Sequence, residues 1–462
     1  MKRFLLILIT LFAVSFFVFP VNLFFLPSQN TKNLLCGVGL VVLVVRTIRA
    51  EGRFQVDKGL LSVIGMACGV SLISFVAIVY NNTTDTTYVS YVVTCFVWLL
   101  GAYAVAVLMR WVHGGLSIRL MTMYLLAMCT MQCISALIID NNAAFENFVI
   151  RFFYNGIDFY SQNGRMYGIG AGLDVAGVRF AGVLVITAHL CVDLARNGER
   201  RMLIVALLMF CFVTVVGNMI ARTTTVGALL AFGYWGLSVF RFGRYGGGGG
   251  KVLRTLLLVL LLVVPVFTVL YNTNPQMRDN LRFGFEGFFS LAEKGHWETN
   301  SNNELKEMVK WPDNLKTWII GDGYMLDESR INPYYLKTEG KKEEVFYMGT
   351  DIGYCRFIFY FGLIGLSINI LYFLTMAVVC AKRCPNHAAS FALLFCINLI
   401  VWAKVSTDVF AVFVLLLMVG AEENALAEEE YEEDEDDEEE EDENEQISED
   451  VEEANPVLLM NE

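Results

Sequence analysis

Apolar runs of about 20 residues, such as LLSVIGMACGVSLISFVAIVY at 60–80, limit this chain more than any other feature. A helix of that length covers the hydrocarbon core of a bilayer. In that medium a chain satisfies its backbone groups within the helix itself. Of 462 residues, 56% are hydrophobic, which leaves little polar sequence for a separate soluble body. The class implied is an all-α polytopic membrane protein.

Hydropathy and Lys/Arg positions together predict about 12 transmembrane helices. These lie near 4–26, 33–45, 60–80, 88–109, 120–138, 177–195, 202–221, 225–240, 255–271, 354–380, 389–403 and 408–420. The start, MKRFLLILITLFAVSFFVF, has no small-residue cleavage site and reads as a retained first span. Arg46, Arg49, Arg53, Lys58, Arg110, Arg119, Arg196, Arg200, Arg201, Arg241, Arg244, Lys251, Arg254, Lys382 and Arg383 all fall in alternate connections. The positive-inside rule makes those connections cytoplasmic and puts both termini there. The GGGGG at 246–250 lies in one of them and reads as a flexible linker.

The net charge of −13 divides unevenly. After Ala421 there are 23 acids and no Lys or Arg, so the remaining body carries 24 acids against 34 bases. The expected division is a transmembrane domain over 1–421, with a large periplasmic loop at about 272–349, and an acidic, disordered cytoplasmic tail over 422–462. The 11 cysteines sit almost entirely in apolar runs, without a CxxC pair. They read as small buried hydrophobes, with no case for a disulfide framework or a structural zinc.

Two external segments exceed a turn. The first, about 140–175, is aromatic and fits an amphipathic helix in the interface. The second, at about 272–349, contains Trp297, Trp311, Trp318 and a Gly-Asp-Gly turn at 321–323. A loop of that length with three tryptophans suggests a small folded cap. Tyr154, Tyr160, Tyr167, Trp297, Tyr334 and Tyr335, beside amides and carboxylates, suit sugar rings and their hydroxyls. Exposed aromatics are also common at membrane interfaces.

Basic residues on this positive-poor side carry the chemical signal. Arg179 lies in GVRFAGVLVI, Arg222 in the turn of GNMIARTTTVGALL, and Arg356 one turn into the span beginning at 354. Arg151 and Arg165 lie in the first external segment. Each could snorkel to headgroups or pair with an acid, as Arg356 could with Asp351. Three guanidiniums at one depth also match an anion at the outer leaflet, a lipid phosphate or diphosphate. Asp351 stands where a carboxylate would meet a reacting hydroxyl, and equally where a helix N-terminus favours an acid. His189 reads as a packed, hydrogen-bonded residue inside its span, and His113 and His387 fall on the cytoplasmic side.

Three stretches, GRMYGIGAGLDVAGVRFAGVLVITAHL, GNMIARTTTVGALL, and WPDNLKTWIIGDGYM with YMGTDIGYCRFIFYFGLIGL, carry a resemblance. In that order, around a large loop before a late span, they resemble the bacterial O-antigen polymerases (Wzy-type) and the related O-antigen ligases over roughly 120–420. The resemblance implies the C-type membrane glycosyltransferase fold in a bacterial inner membrane. It implies polymerisation, at the periplasmic face, of oligosaccharide repeats carried on undecaprenyl diphosphate, and partnership with membrane lipids and a chain-length regulator protein. No cofactor, metal or nucleic acid is implied. Arg179 and Arg222 match the family's diphosphate-binding arginines best by position, with Arg165 and Arg356 next. Asp351, Asp322 and His296 are the candidate general bases. A ligase transferring glycan to lipid A–core is the alternative; HWETNSNN matches the ligase loop His only approximately. A transporter of lipid-linked glycans would show broken helices near the midplane and an internal repeat of its spans; no such repeat is visible, and the notable charges are peripheral rather than central.

Overall fold

A computed structural model describes residues 2–50, 57–154, 165–240, 248–331, 344–421 and 423–424. The acidic run from 428 lies outside the described residues. Among the described residues, eight helices are long and apolar enough to cross a membrane. They are α2 (Thr31–Arg49), α3 (Lys58–Asn81), α4 (Tyr91–His113), α5 (Ile118–Asn141), α7 (Leu173–Arg196), α8 (Arg200–Ile220), α10 (Gly248–Thr273) and α15 (Gly353–Arg383). Shorter apolar helices are α1 (Lys2–Val18), α9 (Thr224–Phe240) and α16 (Ala388–Val401). This is an all-α architecture of the kind expected for a polytopic membrane protein.

Helix α1 ends at Val18, short of the expected 26, because Pro20 cannot continue it. The chain turns there into β1 (Asn22–Leu23), which pairs antiparallel with β2 (Leu26–Asn30) and β3 (Phe153–Tyr154). Instead of a twelfth long helix, only α17 (Phe410–Leu416) forms within 408–420, and every residue of it is buried. The glycines read as a linker do something else where they are described. Gly248–Gly250 form the first turn of α10, and a Cβ on Gly248 would come within 2.9 Å of the Val192 carbonyl oxygen. Glycine is required there for two helices to touch.

Helix α7 is the central post, buried along nearly all its length against α5, α8, α9, α10 and α16. Cys129, Cys133, Cys380 and Cys384 are buried in the surrounding core. Helices α2 and α10 turn most of their apolar side chains outward, the exposure expected of a lipid-facing rim. The alternating course of the helices collects Arg46, Arg49, Arg110, Arg196, Lys382 and Arg383 at one end of the bundle.

The opposite end carries α6 (Ala143–Phe152) and the described residues of the long loop, which form short helices and strands. Its pieces are α11 (Pro275–Gly284), α12 (Glu286–Lys294), α13 (Asn300–Glu307), α14 (Leu315–Ile320), β4 (Leu326–Ile331) and β5 (Glu344–Phe346). Local sequence starts these helices: Asn274, Thr299 and Asn314 each accept a bond from a first-turn N–H, and Pro275 occupies a position that needs none.

The loop is clamped to the bundle through the Gly-Asp-Gly turn. Helix α15 breaks at Phe361 (φ −134°) and Gly362 (φ 67°). Near the break, the Phe359 carbonyl accepts Asp322 N–H at 2.6 Å and the Tyr360 carbonyl accepts Gly323 N–H at 3.0 Å. Gly321, at φ 84°, packs its Cα against the Tyr360 carbonyl. From the α3–α4 turn, Thr83 donates to the Gly323 carbonyl at 2.9 Å and the Asp85 carboxylate accepts Met325 N–H at 2.7 Å.

Candidate functional site

At the loop end, α7, the α8–α9 turn, α13 and the segment after α16 converge on a hollow of about 260 Å³. Its charged walls are Arg165, Arg222 and Lys404 against Asp174, Glu304 and Asp351. Thr223 donates to Asp174 Oδ1 at 2.6 Å, and Lys404 Nζ meets the same oxygen at 2.6 Å. The tight α8–α9 turn therefore presents Arg222 while its neighbour Thr223 fixes Asp174.

Arg222 pairs with Glu286 and lies over the Phe283 ring, 4.6 Å from its centroid. Arg165 contacts the same ring at 5.4 Å. It is exposed and has no ion pair among the described residues. Both arginines, with Glu304 and Ser301, also border an adjoining hollow of about 530 Å³ over α12. That hollow is rich in paired charge: Arg282 bonds Glu293 at 2.8 Å, and Lys294 bonds Glu298 at 2.8 Å.

Phe289 of α12 is also a wall of an apolar groove of about 560 Å³ between α8, α10 and α12. Phe210, Phe232, Val263, Phe267 and Phe285 line it, and α10 exposes Leu261, Leu262 and Val264 nearby. A greasy trough and a charged hollow thus meet at one aromatic edge.

Asp351 lies just before α15, half-buried. Burial pushes its carboxyl up, with Arg356 and Lys404 drawing it back and Asp174 and Glu304 adding to the rise. A carboxyl so placed takes up a proton more readily than a solvated one does.

The other sequence candidates are dispersed. Arg356 is buried with its guanidinium carbon over the Phe346 ring, 3.2 Å from the centroid, and it is not a wall of the hollow. No ion pair joins it to Asp351 among the described residues. Arg179 bonds the Val18 carbonyl and lies over the Phe19 and Trp98 rings, and Lys32 Nζ stands 4.7 Å from the Trp98 ring centroid. Asp322 is occupied within the clamp, accepting from Lys316 Nζ at 2.7 Å and Thr317 Oγ1 at 2.6 Å. His296 is exposed on the loop, its Nδ1 facing the Lys294 carbonyl at 3.2 Å. The hollow therefore unites Arg165, Arg222 and Asp351 and leaves Arg179, Arg356, Asp322 and His296 outside.

Lys404 and Asp174 were missed as site residues. Asp174 stands within GAGLDVAGVRF, and Lys404 is a lone base between two apolar runs. A charge in that setting is itself a signal. No family model matches this chain, and no curated protein matches it either.

Proposed function

We propose that this protein is a polysaccharide polymerase of a bacterial inner membrane, joining oligosaccharide repeats carried on undecaprenyl diphosphate at the periplasmic face. The observation that carries the reading is the apolar groove meeting the charged hollow at Phe289. An amphiphile with a long isoprenoid chain and an anionic head needs that pairing. The chain lies against α10 and α12, and the diphosphate reaches Arg165 and Arg222. Glycans occupy the wider hollow above α12.

In the reaction, an acceptor sugar hydroxyl attacks the anomeric carbon of the donor glycan. The new carbon–oxygen bond forms as the bond to the diphosphate breaks, and its electron pair leaves with undecaprenyl diphosphate. The guanidiniums offset the charge that develops on the leaving phosphate. The hydroxyl proton passes to the Asp351 carboxylate. Lys404 and Asp174 hold each other beside these groups and keep the wall between Arg222 and Asp351 in register.

The test is purified protein with a defined lipid-linked repeat, assayed for chain extension. Products two or more repeats long support the reading. Absence of extension, or transfer only to lipid A–core acceptors, overturns it, the latter in favour of a ligase.

A further inference from the structure

At the end of the bundle opposite the loop, three side chains far apart in sequence meet. His189 and Asp193 lie four residues apart on one face of α7. His387 comes from the Pro385–His387 turn that joins α15 to α16. One ligand atom from each lies within 4.8 Å of the other two. His189 Nε2 is 3.2 Å and His387 Nε2 3.8 Å from the same oxygen, Asp193 Oδ2, and the two rings lie 4.4 Å apart.

From this geometry we infer a binding site for a divalent first-row transition ion, zinc first among them, held by His189, Asp193 and His387. Ligands at zinc distances of about 2.0–2.1 Å, set tetrahedrally, stand roughly 3.4 Å from one another, close to the spacings found here. Two imidazoles and one carboxylate form a nitrogen-rich donor set that suits zinc over magnesium or calcium. The surroundings orient the ligands in the way metal sites require. Tyr234 Oη is 2.7 Å from His189 Nδ1, which turns Nε2 toward the shared carboxylate. Arg196 Nη1 stands 3.8 Å from Asp193 Oδ1, steadying the oxygen that faces away.

Both histidines are buried, whereas the Asp193 side chain is about a quarter exposed and opens the way in for an ion. Three protein ligands leave a fourth position for water. An ion there ties α7 to the α15–α16 turn, far from the charged hollow, and none of the three residues belongs to the proposed transfer chemistry.

The test uses full-length protein in detergent, carrying no histidine tag and stripped with a chelator. On adding zinc, one ion per chain is retained after desalting, the unfolding temperature rises, and cobalt in its place gives the visible absorption of a four-coordinate ion. His387→Gln and Asp193→Asn lose retention and the thermal shift, while their unfolding temperatures in chelator stay near the parent's. Tyr234→Phe keeps one ion per chain and binds it about tenfold more weakly, which keeps the test open should the ligand variants fail to fold. The site is refuted if the stripped parent retains no zinc, or if retention is unchanged in the ligand variants. Equal zinc affinity in Tyr234→Phe and the parent likewise counts against it.

Discussion

Arg222 is the guanidinium on which the proposed chemistry leans hardest, and Glu286 already holds it. Lysine at 222 keeps the charge but loses the planar fork. Arg222→Lys is expected to lower the rate of chain extension on the order of 10²-fold, the scale of losing one transition-state donor. Glu286→Gln should act in the opposite sense. A partly exposed ion pair contributes about 1 kcal/mol, so freeing Arg222 lowers KM for the lipid-linked donor roughly fivefold. Asp351 gives a pH signature. Its carboxyl is raised by burial, so the active, ionised form gains only as pH climbs above the ordinary carboxylate range. The rate in the parent should rise with pH to an inflection above that of an ordinary carboxylate, and Asp351→Asn should abolish that limb along with most of the activity. Stability runs the other way: the neutral carboxyl suits the buried position, so this residue's contribution declines as pH rises through its folded value. Of this site, Arg165, Arg222 and Asp351 were legible because charges beside apolar runs are conspicuous. The pairing of Lys404 with Asp174 was not, since contact between α7 and the segment after α16 is a matter of packing.

Among the elements, the long spans were legible and their interruptions only partly so. Periodless apolar runs gave α3, α4, α5, α7, α8 and α15 to within a few residues, since hydropathy alone sets such helices in lipid. The break in α15 at Phe361–Gly362 was not foreseen, because FYFGLIGL is as apolar as the rest of the span. It follows from the loop packing against it. A Cβ on Gly321 would run into the Tyr360 carbonyl from a backbone already at φ 84°. Gly321→Ala is therefore expected to cost about 1–3 kcal/mol, read as a lowered unfolding temperature in detergent. Asp322 was a plausible base by sequence, yet its carboxylate serves Lys316 and Thr317. Asp322→Asn should lower stability while the folded fraction retains its turnover, the reverse of the outcome for Asp351→Asn.

Across the whole molecule the two ends differ in charge, and that polarity predicts orientation. Basic residues gather at the end away from the loop, the side that the positive-inside rule predicts to face the cytoplasm. Alkaline phosphatase, which needs an oxidising compartment for its disulfides, should be active when fused after Trp311 and inactive when fused after Gly198 or Lys382. Activity at all three points would overturn the orientation. Exchange of loops between such proteins is also constrained. The carbonyls of Phe359 and Tyr360, beside the bend in their own helix, accept hydrogen bonds from the incoming turn at 321–323. A chimaera that imports a foreign loop without that turn would take these two donors away from the bent helix. Whatever glycan a transplanted loop was meant to select, the graft must bring its own plug for the bent helix.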